Sequence, residues 1–202
     1  MKNQQRVLST GDIVSLALFA ITGVGIAVTS ICMAVVRIAE LASGGRVQVL
    51  AEFIDAPAQA TAGDETLPVL VDRGVVTVDG LMTMGVIPGI LAQIAFAVTI
   101  TGVVACLLAL SRNILRGRVF SKVNTRLVMG GGVIGLLGAA ASRFFDNMLA
   151  NAAIAQVTDG AFDTAVISVE PFPFLLAAFA LAIIGTVFVV GDRLQRDTEG
   201  LV

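Results

Sequence analysis

SRNILRGRVFSKVNTR, residues 111–126, is a basic segment between two long apolar segments. It holds five Lys or Arg residues and no acidic residue. The apolar segment before it ends at Leu110, and the one after it begins at Leu127. Two membrane-spanning helices joined by a short cytoplasmic loop have this pattern, because basic residues are enriched on that side. The segment, called the connector below, therefore predicts a membrane protein and its orientation.

The composition favours a membrane protein over a soluble domain. Of the 202 residues, 56% are hydrophobic and 14% are charged, whereas soluble domains carry about 25% charged residues. His, Trp and Tyr are absent. Without imidazole the chain lacks the commonest zinc ligand and proton shuttle, and we expect no cofactor and no metal. Cys32 and Cys106 are predicted at depths in the membrane that are too different for a disulfide.

Four apolar segments are long enough to be transmembrane helices. They cover about residues 13–36, 86–110, 127–149 and 172–190. Between the first two lies a polar segment, residues 37–85, that is predicted to form a small β-rich insert. The expected fold is therefore an all-α membrane protein, a single domain of four transmembrane helices with an extracytoplasmic insert between helices 1 and 2.

Strand signals within the insert come from alternating and β-branched residues. Residues 46–53 alternate apolar and mostly polar side chains, which predicts a half-buried strand. LPVLV (67–71) and VVTV (75–78) predict a hairpin with its turn at Asp72-Arg73-Gly74, because a three-residue connection ending in Gly suits such a turn. Residues 56–65 are predicted to be a flexible loop.

The distribution of charge predicts the orientation of the helices. With both termini and the connector inside the cell, the inner side holds nine of the 13 Lys and Arg residues. The outer side then holds 11 of the 15 Asp and Glu residues. Because this agrees with the positive-inside rule, we expect a multi-pass protein of the bacterial inner membrane with both termini in the cytoplasm.

Small residues on the third predicted helix indicate a helix-packing surface. Gly131, Gly135 and Ala139 recur every four residues, a spacing that lets helices approach closely in lipid. Ala178 and Ala182 on the fourth predicted helix offer a matching surface. The contact is expected within the chain, and a dimer interface is the alternative.

Arg143 and Asp146 lie at the outer edge of the third predicted helix, three residues apart, and are predicted to pair. Charges inside a membrane segment are functional candidates, although an arginine at this depth is also explained by a side chain that reaches the headgroups. The centre of each predicted helix carries no charged residue. This argues against ion-coupled transport and proton relay.

The connector has two interpretations. Its positive charge comes from Arg112, Arg116, Arg118, Lys122 and Arg126. In the first interpretation these residues set the topology and attract anionic lipid. In the second they form a docking surface for a cytosolic partner, since Phe120 interrupts the charges and Ser121 is placed to cap the next helix. Direct binding of nucleic acid is not expected, because five charges beside a membrane are a small footprint.

RNILRGRVFSKVNTRL, residues 112–127, resembles the domain of unknown function 2975 family of small bacterial membrane proteins. That family has a basic G-x-x-F-x-x-x-N connector between its second and third helices, matched here by Gly117, Phe120 and Asn124. The tail GDRLQRDTEGLV (191–202) is similar to the charged tail of its actinobacterial members. The resemblance implies the four-helix plan without an established activity. It also implies a membrane partner for a helix-turn-helix regulator, because such regulators are encoded beside many members.

The leading functional hypothesis is a non-enzymatic membrane protein whose connector and tail engage a cytosolic partner, such as a transcriptional regulator. The alternative is an accessory subunit or small transporter component of a larger membrane complex, which the small-residue surface favours. An enzyme is not expected, because no arrangement of residues supplies a nucleophile with a base. The sequence leaves the ligand, the partner and the oligomeric state open.

Overall fold

The computed structural model describes residues 9–62, 65–117, 119–159 and 170–199. Its elements follow the chain as α1 (Thr10–Ala42), β1 (Arg46–Ala62), β2 (Glu65–Asp79), α2 (Thr83–Leu115), α3 (Lys122–Val157) and α4 (Pro171–Glu199). The described chain is therefore mostly helical, with one two-stranded sheet between the first two helices. The four helices and the sheet between the first two confirm the predicted order, but the sheet has two strands where the sequence predicts three strand segments.

Four helices are long and apolar enough to cross a membrane. Each extends beyond the apolar segment that predicted it, and α3 is the longest at 36 residues. At 1.5 Å per residue, α3 is about 54 Å long, whereas the hydrocarbon core of a bilayer is about 30 Å thick. The predicted ranges therefore mark the apolar parts of helices that continue into polar sequence.

Hydrogen bonds of polar side chains explain where two of the helices begin. Ser9 and Asp12 form a reciprocal capping box: the amide of Asp12 donates to Ser9 Oγ over 3.2 Å, and the amide of Ser9 donates to Asp12 Oδ2 over 2.8 Å. At the start of α3, the amide of Asn124 donates to Ser121 Oγ over 3.2 Å. These bonds occupy amide groups that a helix end leaves without partners. The bond to Ser121 Oγ confirms the predicted cap at Ser121.

The sheet is one long antiparallel pair of strands, called the hairpin below, and the segment predicted to be its turn lies within a strand. β1 and β2 pair from Arg46 with Asp79 to Ala62 with Glu65, with an irregularity between Glu52 and Ala56. The predicted turn at Asp72-Arg73-Gly74 is wrong, since these residues lie inside β2. The predicted loop at 56–65 is wrong for the same reason, because the residues of it that the structure describes are in the two strands.

Phe53 supplies a physical reason for the continuous strand. A β-carbon on Gly74 would lie 3.2 Å from Cε2 of Phe53. Gly74 therefore leaves room for an aromatic ring of the neighbouring strand, whereas the prediction assigned it to a turn. Arg73 pairs with Glu52 across the two strands, with Nη2 and Oε1 3.0 Å apart. These side-chain contacts favour a paired strand at this position.

One compact unit contains residues 9–32, 96–139 and 170–199 of the described chain. Its helices contact each other where a glycine faces a larger side chain. Gly131 of α3 faces Cys106 of α2, and Gly132 of α3 faces Leu181 of α4. Close approach at small residues is a main source of helix association in lipid.

A second compact unit contains residues 33–95 and 140–159. Here the base of the hairpin packs against parts of α1 and α3 to form an apolar core. The buried core residues are Leu41, Val47, Val49, Ala51, Val78, Leu81, Leu149, Ala150, Ala153 and Ile154. Because a two-stranded hairpin alone is marginally stable in water, this core stabilises the sheet.

Candidate interaction site at the connector

Gly117 ends α2 and begins the turn of the connector. Its φ is +75°, in the left-handed region that glycine adopts without a steric penalty. Its amide donates to the carbonyl oxygen of Ile114 over 2.8 Å. A glycine just beyond the last helical turn is a common helix end, and it lets the chain reverse toward α3 within a few residues.

Asn124 stabilises the connector through hydrogen bonds of its side chain. Its side chain is fully buried, at 0% exposure. Its Oδ1 accepts a hydrogen bond from Asn113 Nδ2 over 2.7 Å, and its Nδ2 donates to the carbonyl oxygen of Val119 over 2.8 Å. One buried amide thus links the end of α2, the connector and the first turn of α3. Because both ends of the amide are hydrogen-bonded, its burial carries no unsatisfied polar group.

Phe120 attaches the connector to α4. Its ring meets the ring of Phe188 edge to face, with centroids 5.8 Å apart. The same ring lies against the backbone of Gly191, where any larger residue would overlap it. The connector and the polar end of α4 are therefore held together as one surface, called the connector–tail surface below.

A groove of about 490 Å³, lined mostly by charged residues, lies between the start of α3 and the end of α4. Lys122, Thr125 and Arg126 line it from α3, and Val189, Asp192, Arg193 and Asp197 line it from α4. Its three basic residues form no ion pair with any residue that the structure describes. The groove, called the α3–α4 groove below, therefore combines three basic and two acidic side chains, with a small excess of positive charge.

The other predicted basic residues of the connector lie away from this groove. Arg112 and Arg116 are exposed at the end of α2, and neither forms an ion pair with a described residue. Arg118 is outside the described residues. Of the predicted basic cluster, Lys122 and Arg126 therefore line the groove, whereas Arg112 and Arg116 lie outside it.

The predicted packing residues of α3 lie where α2 and α4 approach. Gly131, Gly135 and Ala139 line an apolar groove of about 690 Å³ together with residues of both helices. On α4, Leu181 lies against Gly132 of α3, and Gly185 lies against Met129 of α3. Ala178 and Ala182 are exposed on α4, so the contacts found on α4 differ from the predicted pair.

Arg143 forms its ion pair with the hairpin. Its Nη2 lies 2.6 Å from Glu52 Oε1, and Glu52 is 14% exposed. The same carboxylate oxygen is 3.0 Å from Arg73 Nη2. Arg143 interacts electrostatically with Asp146, as predicted, but its ion pair is with Glu52, 91 positions away, and this pair attaches β1 to α3.

Several residues with structural roles carried no sequence signal. Gln156 of α3 accepts a hydrogen bond from the amide of Met82 and donates to the carbonyl oxygen of Gly80, both over 3.0 Å. Arg37 Nη2 donates to the carbonyl oxygen of Gln48 over 2.5 Å. These contacts join residues far apart in sequence, so periodicity and local motifs do not reveal them. Among the described residues there is no cluster of three or more His, Cys, Asp or Glu that could hold a metal ion.

Comparisons with known proteins add no relative. No family model matches the chain, and no curated protein and no solved structure is significantly similar to it. The family resemblance of the connector therefore stays a prediction.

Proposed function

We propose that the chain is a non-enzymatic, multi-pass membrane protein whose connector–tail surface docks a cytosolic protein. The observation that carries this proposal is the anchoring of the connector by Asn124 and Phe120. A loop that only sets topology needs charge but no fixed conformation. A loop held on two sides is suited to recognition, because less conformational entropy is lost when a partner binds.

Exposed apolar side chains support the membrane placement. Phe19 and Ile21 of α1 are 72% and 71% exposed, and Phe172 and Leu176 of α4 are 80% and 70% exposed. A soluble monomer rarely exposes apolar patches of more than a few hundred Å². Lipid tails are the natural surroundings of such helices.

The charge distribution supports a cytoplasmic connector. In an even number of crossings the connector and both termini lie on one side, and the hairpin lies on the other. Basic residues accumulate on the cytoplasmic side, and the connector carries five of them without an acid. The membrane is that of a bacterial cell in this proposal.

The chemistry of the surface favours a partner with an acidic patch. Arg112 and Arg116 are exposed beside the anchored turn. The helix of α4 continues to Glu199, nine residues and about 13 Å beyond Val190, the last residue of its apolar segment. The family resemblance supports a transcriptional regulator as the partner, and the docking proposal does not depend on it.

A second candidate function is an accessory subunit or small transporter component of a larger membrane complex. The apolar groove beside Gly131 and Gly135 favours it, because its volume of about 690 Å³ is bordered almost entirely by apolar groups. Another transmembrane helix is the kind of partner that such a groove accommodates.

The test is recovery of partners from the native host. The tagged full chain is extracted in mild detergent, and co-purifying proteins are identified by mass spectrometry. We expect a cytosolic protein with an acidic surface, at least tenfold depleted when Arg112, Arg116 and Arg118 are replaced by Gln. The variant lacks the positive charges that would attract the acidic surface of the partner, so it should bind the partner more weakly.

The matched control replaces Arg46 and Arg73, two exposed arginines of the hairpin, by Gln. This variant should recover the partner at the level of the unmodified chain. Equal recovery by the connector variant contradicts the docking proposal. Recovery of membrane proteins alone, unchanged in both variants, would support the accessory-subunit function instead.

A further inference from the structure

The α3–α4 groove lies where the apolar part of α4 ends. Val189 belongs to the last turn of that apolar segment, and Asp192, Arg193 and Asp197 follow on the same face, three, four and eight residues later. On α3, Lys122 and Arg126 are separated by one helical turn. The groove therefore runs about 12 Å along α4, from an apolar end to a polar end.

The charges of the groove favour an anionic ligand. Lys122, Arg126 and Arg193 are exposed, and each lacks an ion pair within the described chain. Of the two carboxylates, Asp192 already takes part in an interaction within the protein. With three cations and two carboxylates, the lining has a net charge of +1. One negative charge would balance it.

The order of the groups along the groove matches the order within a phospholipid. Val189 comes first, at the end of the apolar segment. Asp192 and Arg193 follow on α4, and Lys122 and Arg126 line the groove from α3, so that a phosphate would lie among the three cations. Asp197 comes last, where a headgroup hydroxyl would donate a hydrogen bond to its carboxylate. Arg and Lys are the side chains that bind phosphate oxygens most strongly.

From this arrangement we infer that the α3–α4 groove is a specific site for the headgroup of an anionic glycerophospholipid of the phosphatidylglycerol type. Its volume of about 490 Å³ leaves room for a phosphate and a short polyol. The inference rests on the membrane placement proposed above, and it concerns residues other than those replaced in the docking test. It assigns the groove residues a role that the exposed residues Arg112 and Arg116 do not share.

Native mass spectrometry of the delipidated full chain tests this inference. Phosphatidylglycerol, phosphatidylethanolamine and phosphatidylcholine are added separately to the protein in detergent. We expect one phosphatidylglycerol bound with a preference of about tenfold or more over phosphatidylcholine. Replacement of Arg126 and Arg193 by Gln should weaken its binding by about tenfold or more, since the phosphate then loses two charge-assisted hydrogen-bond donors.

Three further arms make the result decisive. The R126K/R193K variant keeps both charges and should retain phosphatidylglycerol, and the R112Q/R116Q variant loses two charges outside the groove and should also retain it. Equal binding by R126Q/R193Q, or an equal loss in R112Q/R116Q, overturns the inference. Displacement of the lipid by millimolar inorganic phosphate also overturns it, because the groove would then be a site for a soluble anion.

The result is separable from the topology and from the partner. A detergent micelle does not separate two aqueous compartments, so the measured lipid preference does not depend on the orientation of the chain in the membrane. Preference for phosphatidylethanolamine over phosphatidylglycerol would count against the inferred headgroup. Size-exclusion chromatography of each variant checks that the exposed substitutions leave the protein folded.

Discussion

At the scale of single residues, Asn124 has the largest consequence for the connector. A buried amide contributes little net stability while it is paired, but it costs about 1–3 kcal/mol when its partners are left unsatisfied. Asn124 has partners in α2 and in the connector. Its removal therefore affects three segments at once: the end of α2, the turn and the start of α3.

Replacement of Asn124 by Asp should destabilise the protein by about 2–4 kcal/mol. The carboxylate has no donor for the carbonyl oxygen of Val119, and it places a charge in a fully buried position. The free energy of unfolding in detergent measures the loss, and trypsin cleavage at Arg116 should become faster. The same substitution at Asn151, a partly exposed residue of α3, should change stability by less than about 0.5 kcal/mol. Equal effects at both positions would show that the buried amide has no special role.

At the scale of secondary-structure elements, glycines decide how closely the helices pack. Gly138 of α3 lies against Thr99 of α2 so closely that a β-carbon at 138 would be 2.7 Å from Cβ of Thr99. The β-carbon of Thr99 is fixed to the backbone, so a rotamer change does not relieve the overlap. Gly130, two turns earlier on α3, has open space around it.

Gly138→Ala should therefore destabilise the helix contact, whereas Gly130→Ala should not. Overpacking of a close contact costs typically about 1–3 kcal/mol, and this loss should appear as a lower free energy of unfolding. At an open helical position alanine is favoured over glycine by up to about 1 kcal/mol, so Gly130→Ala should be neutral or stabilising. If Gly138→Ala behaves like Gly130→Ala, close packing of α2 and α3 at Thr99 is not what stabilises the unit.

The helices and the sheet differ in how far sequence predicts them. Apolar runs place the four helices, because each turn of a spanning helix must be apolar where it meets lipid. Their ends depend on caps, and Ser121 was predictable from its own chemistry. The hairpin turn was predicted at Gly74 because glycine is common in turns. In the structure Gly74 instead leaves room within a strand for Phe53 of the neighbouring strand, and local sequence does not reveal this contact.

The candidate site was predictable only in part. The charge of the connector and the positions of Gly117, Phe120 and Asn124 are visible in the sequence. The attachment of Phe120 to Gly191 depends on a contact 71 positions away, and the α3–α4 groove combines side chains of two helices. Arg143 was identified as a candidate, but its partner Glu52 lies on a strand. No local spacing encodes such pairs.

At the scale of the whole molecule, the proposed crossings place the hairpin and the connector on opposite sides of the membrane. The hairpin carries acidic residues together with Arg46 and Arg73, whereas the connector carries basic residues and no acid. Lys and Arg near the ends of short loops determine orientation, and acidic residues contribute little. The connector should therefore dominate the topology even though the hairpin is longer.

Labelling of single cysteines tests this topology. With Cys32 and Cys106 replaced by Ala, one new cysteine is placed at Gln59 of the hairpin or at Arg112 of the connector, both exposed positions. A membrane-impermeant maleimide added to intact spheroplasts should label position 59 and leave position 112 unlabelled, because a charged reagent does not cross the hydrocarbon core. After permeabilisation both positions should react, which controls for accessibility. Labelling of position 112 in intact spheroplasts would invert the orientation and remove the connector from the cytoplasm, and the docking proposal would then fail with it.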